Sequence, residues 1–88
     1  MNLDELTSQQ RKLIAENNAL GKERRILAEK YKYHYDKYNN MRKDDSEYII
    51  SLKNKLDEMM ERARYITNKI DSNTKKLKIF QKEIDSFK

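Results

Sequence analysis

The sequence predicts an all-α fold, an antiparallel helical hairpin, and three observations carry that prediction. There is no Pro and only one Gly in 88 residues, so the strongest helix breaker is missing, while Lys, Glu, Leu, Ile and Arg supply helix-compatible side chains. Apolar residues recur at alternating spacings of three and four, the mark of a coiled-coil seam. That recurrence changes phase once, inside the most polar stretch of the chain. Nothing punctuates strands: no Asn-Gly, Asp-Gly or Pro-Gly pair is present to turn a β-hairpin.

The first helix is expected over about residues 3–40. With Leu3 and Leu6 as the first a and d positions of a heptad, the d series reads Leu6, Leu13, Leu20, Leu27, His34, Met41 and the a series Leu3, Gln10, Asn17, Arg24, Tyr31, Tyr38. Asn2 followed by Glu5 reads as a capping box that opens this helix. A turn is expected at about 41–46, where Asn, Asp and Ser favour caps and turns. Asn39 or Asn40 is placed to end the first helix in the left-handed conformation, in place of Gly. Asp44, three residues before Glu47, reads as a second capping box.

The second helix is expected over about residues 47–87. Its a series is Ile49, Leu56, Ala63, Ile70, Leu77, Ile84, and its d series is Leu52, Met59, Ile66, Asn73, Phe80, Phe87. Continuing the first block would put an a position at Leu52, where d now stands, so the phase has jumped by four residues between Met41 and Ile49. A turn resets the phase in this way. The alternative is one continuous helix of roughly 130 Å, in a parallel dimeric coiled coil with a stutter near residues 41–49 and with Asn17 pairing with its own copy.

A pairing test favours the hairpin. If facing residues have numbers that sum to 90, Leu6 meets Ile84, Leu13 meets Leu77, Leu20 meets Ile70, Leu27 meets Ala63 and His34 meets Leu56. The intervening layers set Leu3 on Phe87, Gln10 on Phe80, Arg24 on Ile66, Tyr31 on Met59 and Tyr38 on Leu52. The two core asparagines, Asn17 and Asn73, land opposite each other, which suits buried amides that each need a partner. On the g flank, Glu16 and Glu23 face Arg62, Lys69 and Lys76 of the basic row Lys55, Arg62, Lys69 and Lys76, while Lys30 and Lys37 face Lys55 and Arg62 with like charge. Exposed pairs of this kind are worth under about 1 kcal/mol each and tune the register without deciding it.

A two-helix hairpin has a single seam, and a chain of this length buries little on its own. The other flank shows where more packing would come from. The e positions Ile14, Gly21, Ala28 and Tyr35 of the first helix lie beside Met60 and Thr67 of the second, mostly small or apolar. A helix pair with one apolar flank docks it on something, and the simplest occupant is a second copy, giving a dimeric four-helix bundle. Gly21 costs about 1 kcal/mol relative to Ala in a helix interior; its two readings are a tolerated or kinking Gly and a close helix approach at Gly21 and Ala28.

Chemistry is sparse. With one His, no Cys and no Gly-rich phosphate loop, no catalytic constellation, metal site or cofactor site is expected. His34, at a d position among Tyr31, Tyr35 and Tyr38, reads as a half-buried imidazole satisfied by a tyrosine hydroxyl. The run from Lys30 to Tyr38 holds four of the six Tyr, and Tyr31, Tyr35 and Tyr38 are expected to face the seam as an aromatic-capped core end. Tyr33, Lys32 and Lys37 stay on the surface. Since Tyr and Arg anchor protein interfaces, Tyr33, Lys37, Arg42 and Lys43 are candidates for binding another protein. Cations interleaved with aromatics also suit nucleic acid, which makes a basic nucleic-acid-binding accessory protein the alternative reading. Acids such as Asp57, Glu58, Glu61 and Asp71 interrupt the basic row, unlike a dedicated DNA-binding arm.

The net charge of +5 arises from 20 basic and 15 acidic residues, too balanced for a purely electrostatic tail. The N-terminal residues Asn2 to Glu5 precede no apolar run, so neither a signal peptide nor a membrane span is expected. The reading is an intracellular protein, cytoplasmic, or nuclear in a eukaryote. The Lys, Asn and Ile usage fits an AT-rich genome, in which small helical scaffolds and inhibitors of phages provide an analogy of composition alone. The chain is therefore expected to be a single non-enzymatic helical domain over 1–88, an adaptor, scaffold or inhibitor that self-associates and binds a protein partner through a helical face.

Overall fold

A computed structural model of the protein describes residues 2–40 and 46–87. Two long helices run antiparallel, α1 over Leu3–Asn39 and α2 over Ser46–Asp85, in a rod with extents of 67 × 14 × 14 Å. The chain folds back, and the continuous-helix alternative is not what the structure adopts. Arg42, Lys43, Asp44 and the phase-changing segment around them lie outside the described residues, so the second capping box is not described.

α1 opens as the sequence implies. The Asn2 side-chain oxygen accepts from the Glu5 backbone N–H at 2.8 Å, satisfying one of the orphan donors of the first turn. The reciprocal half of the box differs from expectation, because Asn2 Nδ2, and not its backbone N–H, donates to Glu5 Oε1 at 3.4 Å. The far end of α1 needs a correction. Asn40 has φ −93° and ψ 2°, and no described non-Gly residue has a positive φ. Its N–H donates to Asp36 O at 3.1 Å, so a continued helical turn, and not a left-handed residue, closes the last turn of α1.

The seam has the expected phase. Leu6, Leu52, Leu56, Ile66 and Asn73 are buried, and all of them occupy a or d positions. Leu13, Leu20, Leu27, Met59, Ile70, Leu77, Phe80 and Ile84 are half-buried. Departures come at the open end, where Leu3 and Phe87 are exposed, and at Arg24, whose charged head stays in solvent opposite Ile66. The seam of one hairpin is thus recognisable along its whole length yet only partly removed from water, as expected of two helices with a single contact line.

The register rests on polar layers. Asn73, 1% exposed, donates through Nδ2 to Asn17 Oδ1 at 3.0 Å and to Glu16 Oε1 at 3.0 Å. The amide match read from the sequence is therefore present, with Glu16 as an added acceptor. Asn73 Oδ1 is buried without a hydrogen-bond partner, so the layer is incompletely satisfied and costs stability while fixing the pairing. Urea denaturation should show this split. Asn73→Ala is expected to lose about 1–2 kcal/mol, because two hydrogen bonds vanish. Replacing both Asn17 and Asn73 by Leu is expected to match or exceed the parent, because an apolar layer removes the orphan altogether.

Candidate interaction surfaces

The two flanks of the hairpin differ in kind. On the g flank the expected charge pairing forms. Arg62 grips Glu23 in a fork, Nε to Oε1 at 2.7 Å and Nη2 to Oε2 at 3.0 Å, and Lys69 Nζ lies 3.9 Å from Glu16 Oε1. The hydrogen bond from Arg62 holds the Glu23 carboxyl below its ordinary value of 4.5 and, in return, raises the Arg62 guanidinium. Farther toward the fold-back the expected clash of Lys37 with Arg62 does not occur, because Arg62 is committed to Glu23. Lys37 Nζ sits 4.7 Å from the centre of the Tyr33 ring; Tyr33 first, and Tyr48 after it, raise the lysine's pKa above the ordinary 10.5. Tyr48, at a g position, is a neighbour that sequence reasoning missed; its spacing from Ile49 and Leu52 would have placed it there.

The tyrosine segment divides as its geometry requires. Tyr31 and Tyr38 are half-buried, as a positions should be, and Leu52 and Leu56 beneath this end are 2% and 6% exposed. Tyr35 departs from the expectation. It remains 45% exposed and stacks on Tyr31, with ring centres 5.9 Å apart and planes 14° from parallel. An e side chain reaches the seam only when another layer presses on it, and here none does. His34 also needs a correction, since its Nδ1 is buried with no hydrogen-bond partner. The imidazole meets the Tyr33 ring edge-on, ring centres 5.4 Å apart.

The e flank is open. Ile14 and Met60 are 47% and 42% exposed, Ala28 and Thr67 are exposed, and Gly21 is half-buried. An apolar hollow of about 310 Å³ runs between the helices here, lined by Leu27, Ala28, Tyr31, Met59, Met60 and Ala63, with Arg24 at its edge. Further depressions continue it along Gly21, Arg25 and Ala28 and along Ala63, Thr67 and Asn68. A Cβ added to Gly21 would meet nothing within 4 Å, so the close approach read from the sequence is not an approach of α2 within this chain.

Of the residues singled out in the sequence, Ile14, Gly21, Ala28, Tyr35, Met60 and Thr67 share the e flank. Tyr33 and Lys37 touch each other on the opposite side. The row Lys55, Arg62, Lys69, Lys76 splits, with Arg62 and Lys69 bound to α1 carboxylates and Lys55 and Lys76 forming no ion pair among the described residues. Among the described residues no group of three or more His, Asp or Glu side chains is gathered to hold a metal ion, and no helix is long and apolar enough to cross a membrane. No family model matches this chain, and neither a curated protein nor a solved structure matches it.

Proposed function

We propose that the protein is a non-enzymatic, self-associating helical adaptor, two hairpins joined through their e flanks into a four-helix bundle that offers its remaining faces to a protein partner. The observation that carries the reading is the contrast of flanks: one charged and carrying the interhelical ion pairs of Glu16 and Glu23, the other a row of small and apolar residues around an open hollow. A half-buried seam gains most from a second layer placed on that hollow. A strip about 10–12 Å wide along a 67 Å rod amounts to roughly 700–800 Å² per copy, the size of an ordinary stable interface.

The rims of the strip favour a second copy as its occupant. Beside the e flank α1 carries Arg11, Arg25 and Lys32 at b positions, and α2 carries Asp57 and Asp71 with Arg64 between them. A two-fold axis along the rod sets α1 of one copy against α2 of the other at the same level, which brings Lys32 beside Asp57 and Asn18 beside Asp71, with like charges left where Arg25 meets Arg64. Because the sequence has no Cys, single cysteines report contacts cleanly. Ala28→Cys and Met60→Cys combined in one mixture are expected to cross-link between copies on mild oxidation, whereas Ala15→Cys and Asn54→Cys on the outer face are not. Equal cross-linking of both pairs would remove the flank from the proposal.

A further inference from the structure

On the basis of that adaptor reading, the geometry points to the fold-back half of the g flank as a docking surface for an acidic amphipathic helix of a protein partner, one whose carboxylates recur once per heptad beside apolar residues. The flank sets this pattern itself. In the middle of the rod two g layers are neutralised within the hairpin, Glu16 by Lys69 and Glu23 by Arg62. One layer on, Lys30 and Lys55 take the corresponding places with no acid between them, and neither forms an ion pair among the described residues. In the next layer Lys37 stands over Tyr33, again without a carboxylate. Like charges paired across a seam cost stability, and an external carboxylate would relieve that cost where the chain provides none.

The spacing selects a helix. Lys30 and Lys37 are one heptad apart, about 10.5 Å along the axis, and the c positions beside them are Ile26 and Tyr33, 54% and 58% exposed. Cation and apolar group therefore alternate with the repeat of a facing helix. Two features disfavour nucleic acid as the occupant. Glu23 and Glu58 lie on the same flank, and Tyr33 and Tyr65 each already hold a cation of their own chain over the ring, Lys37 at 4.7 Å and Arg62 at 5.0 Å, which takes up a face that a base would need for stacking.

The test uses the full chain and a fluorescent, acetylated and amidated alanine-based peptide of about three heptads, with Glu at every seventh position and Leu three residues after each. A scrambled peptide and a single-stranded DNA of about 20 nucleotides serve as comparisons, all by anisotropy at about 50 mM salt. The patterned peptide is expected to bind at least about tenfold more tightly than the scrambled one. Lys55→Glu is expected to abolish that preference while raising the melting temperature, because the new acid pairs with Lys30. The mass in solution should stay that of the parent, which separates a failure here from a failure of the self-association. Equal binding of both peptides, no binding of either, tighter binding of the DNA, or Lys55→Glu leaving the preference intact would each overturn the proposal.

Discussion

Replacing Ile66 with Ala is expected to cost about 3 kcal/mol, within the range for large aliphatic residues truncated in a core. Ile66 is fully buried at 0% exposure in a d layer where the facing residue is Arg24, whose head remains outside. A domain of this size has only about 4–13 kcal/mol of stability, so the loss is a large share of the total and should lower the melting temperature by roughly 12–24 °C. Ile79→Ala is the matched comparison: the same side chain at a c position, 56% exposed, expected to shift the midpoint by less than about 0.5 kcal/mol. Both variants belong at one protein concentration, since association feeds into apparent stability. Equal effects would mean that the seam phase is wrong.

The second large effect concerns the open flank. Ile14→Glu combined with Met60→Glu puts a carboxylate on each helix of the e flank, at sites 47% and 42% exposed in a single hairpin. Within one hairpin these groups stay hydrated, and the fold should tolerate them. In a bundle they would enter an apolar interface, where an unpaired charge costs several kcal/mol. A loss of that size in the assembly, doubled by symmetry, converts to more than about a hundredfold in affinity. The variant should sediment as one chain at about 10 µM and melt at a temperature that no longer depends on concentration, while its far-ultraviolet helical signal at low temperature stays near that of the parent.

The fold was legible because its strongest determinants are periodic. Leucines at four successive d positions and the faultless three-four spacing after Ile49 set the seam, and Asn17 and Asn73 set the register to within one layer, as their 3.0 Å contact shows. The g rail was legible for a similar reason: Glu16 and Glu23 repeat with the heptad, as do Arg62 and Lys69. What escaped the sequence was local or depended on absent neighbours. Asn40 favours the left-handed region as a residue type, yet its N–H already finds Asp36 O, so nothing drives it there. The match of Lys37 with Arg62 is out of register, because Arg62 binds Glu23, two heptads or about 21 Å along α1 from Lys37. His34 was granted a hydroxyl by proximity in sequence, whereas the contact it makes is with the Tyr33 ring. Of the two readings of Gly21, the close approach finds no helix of this chain beside it, since it faces open space.

Two of the departures, Tyr35 and Gly21, lie on the e flank for a physical reason. A pattern of small and apolar e residues records that a flank is meant to be covered, and it does not record by what. Within one chain the flank is a hollow; Tyr35 leans outward, and Gly21 and Ala28 have no facing helix. Assigning a second copy as the cover makes these features consistent with one another, since the same six positions would then border a core.

The most direct measurement is sedimentation velocity of the unmodified chain from about 1 to 100 µM, with helicity followed in the same samples. The account predicts a species of twice the 10.7 kDa chain mass over the upper part of that range, with low-temperature helicity largely retained as dilution separates the copies. A single species at the chain mass throughout, helical and cooperatively melting at 100 µM, would contradict it.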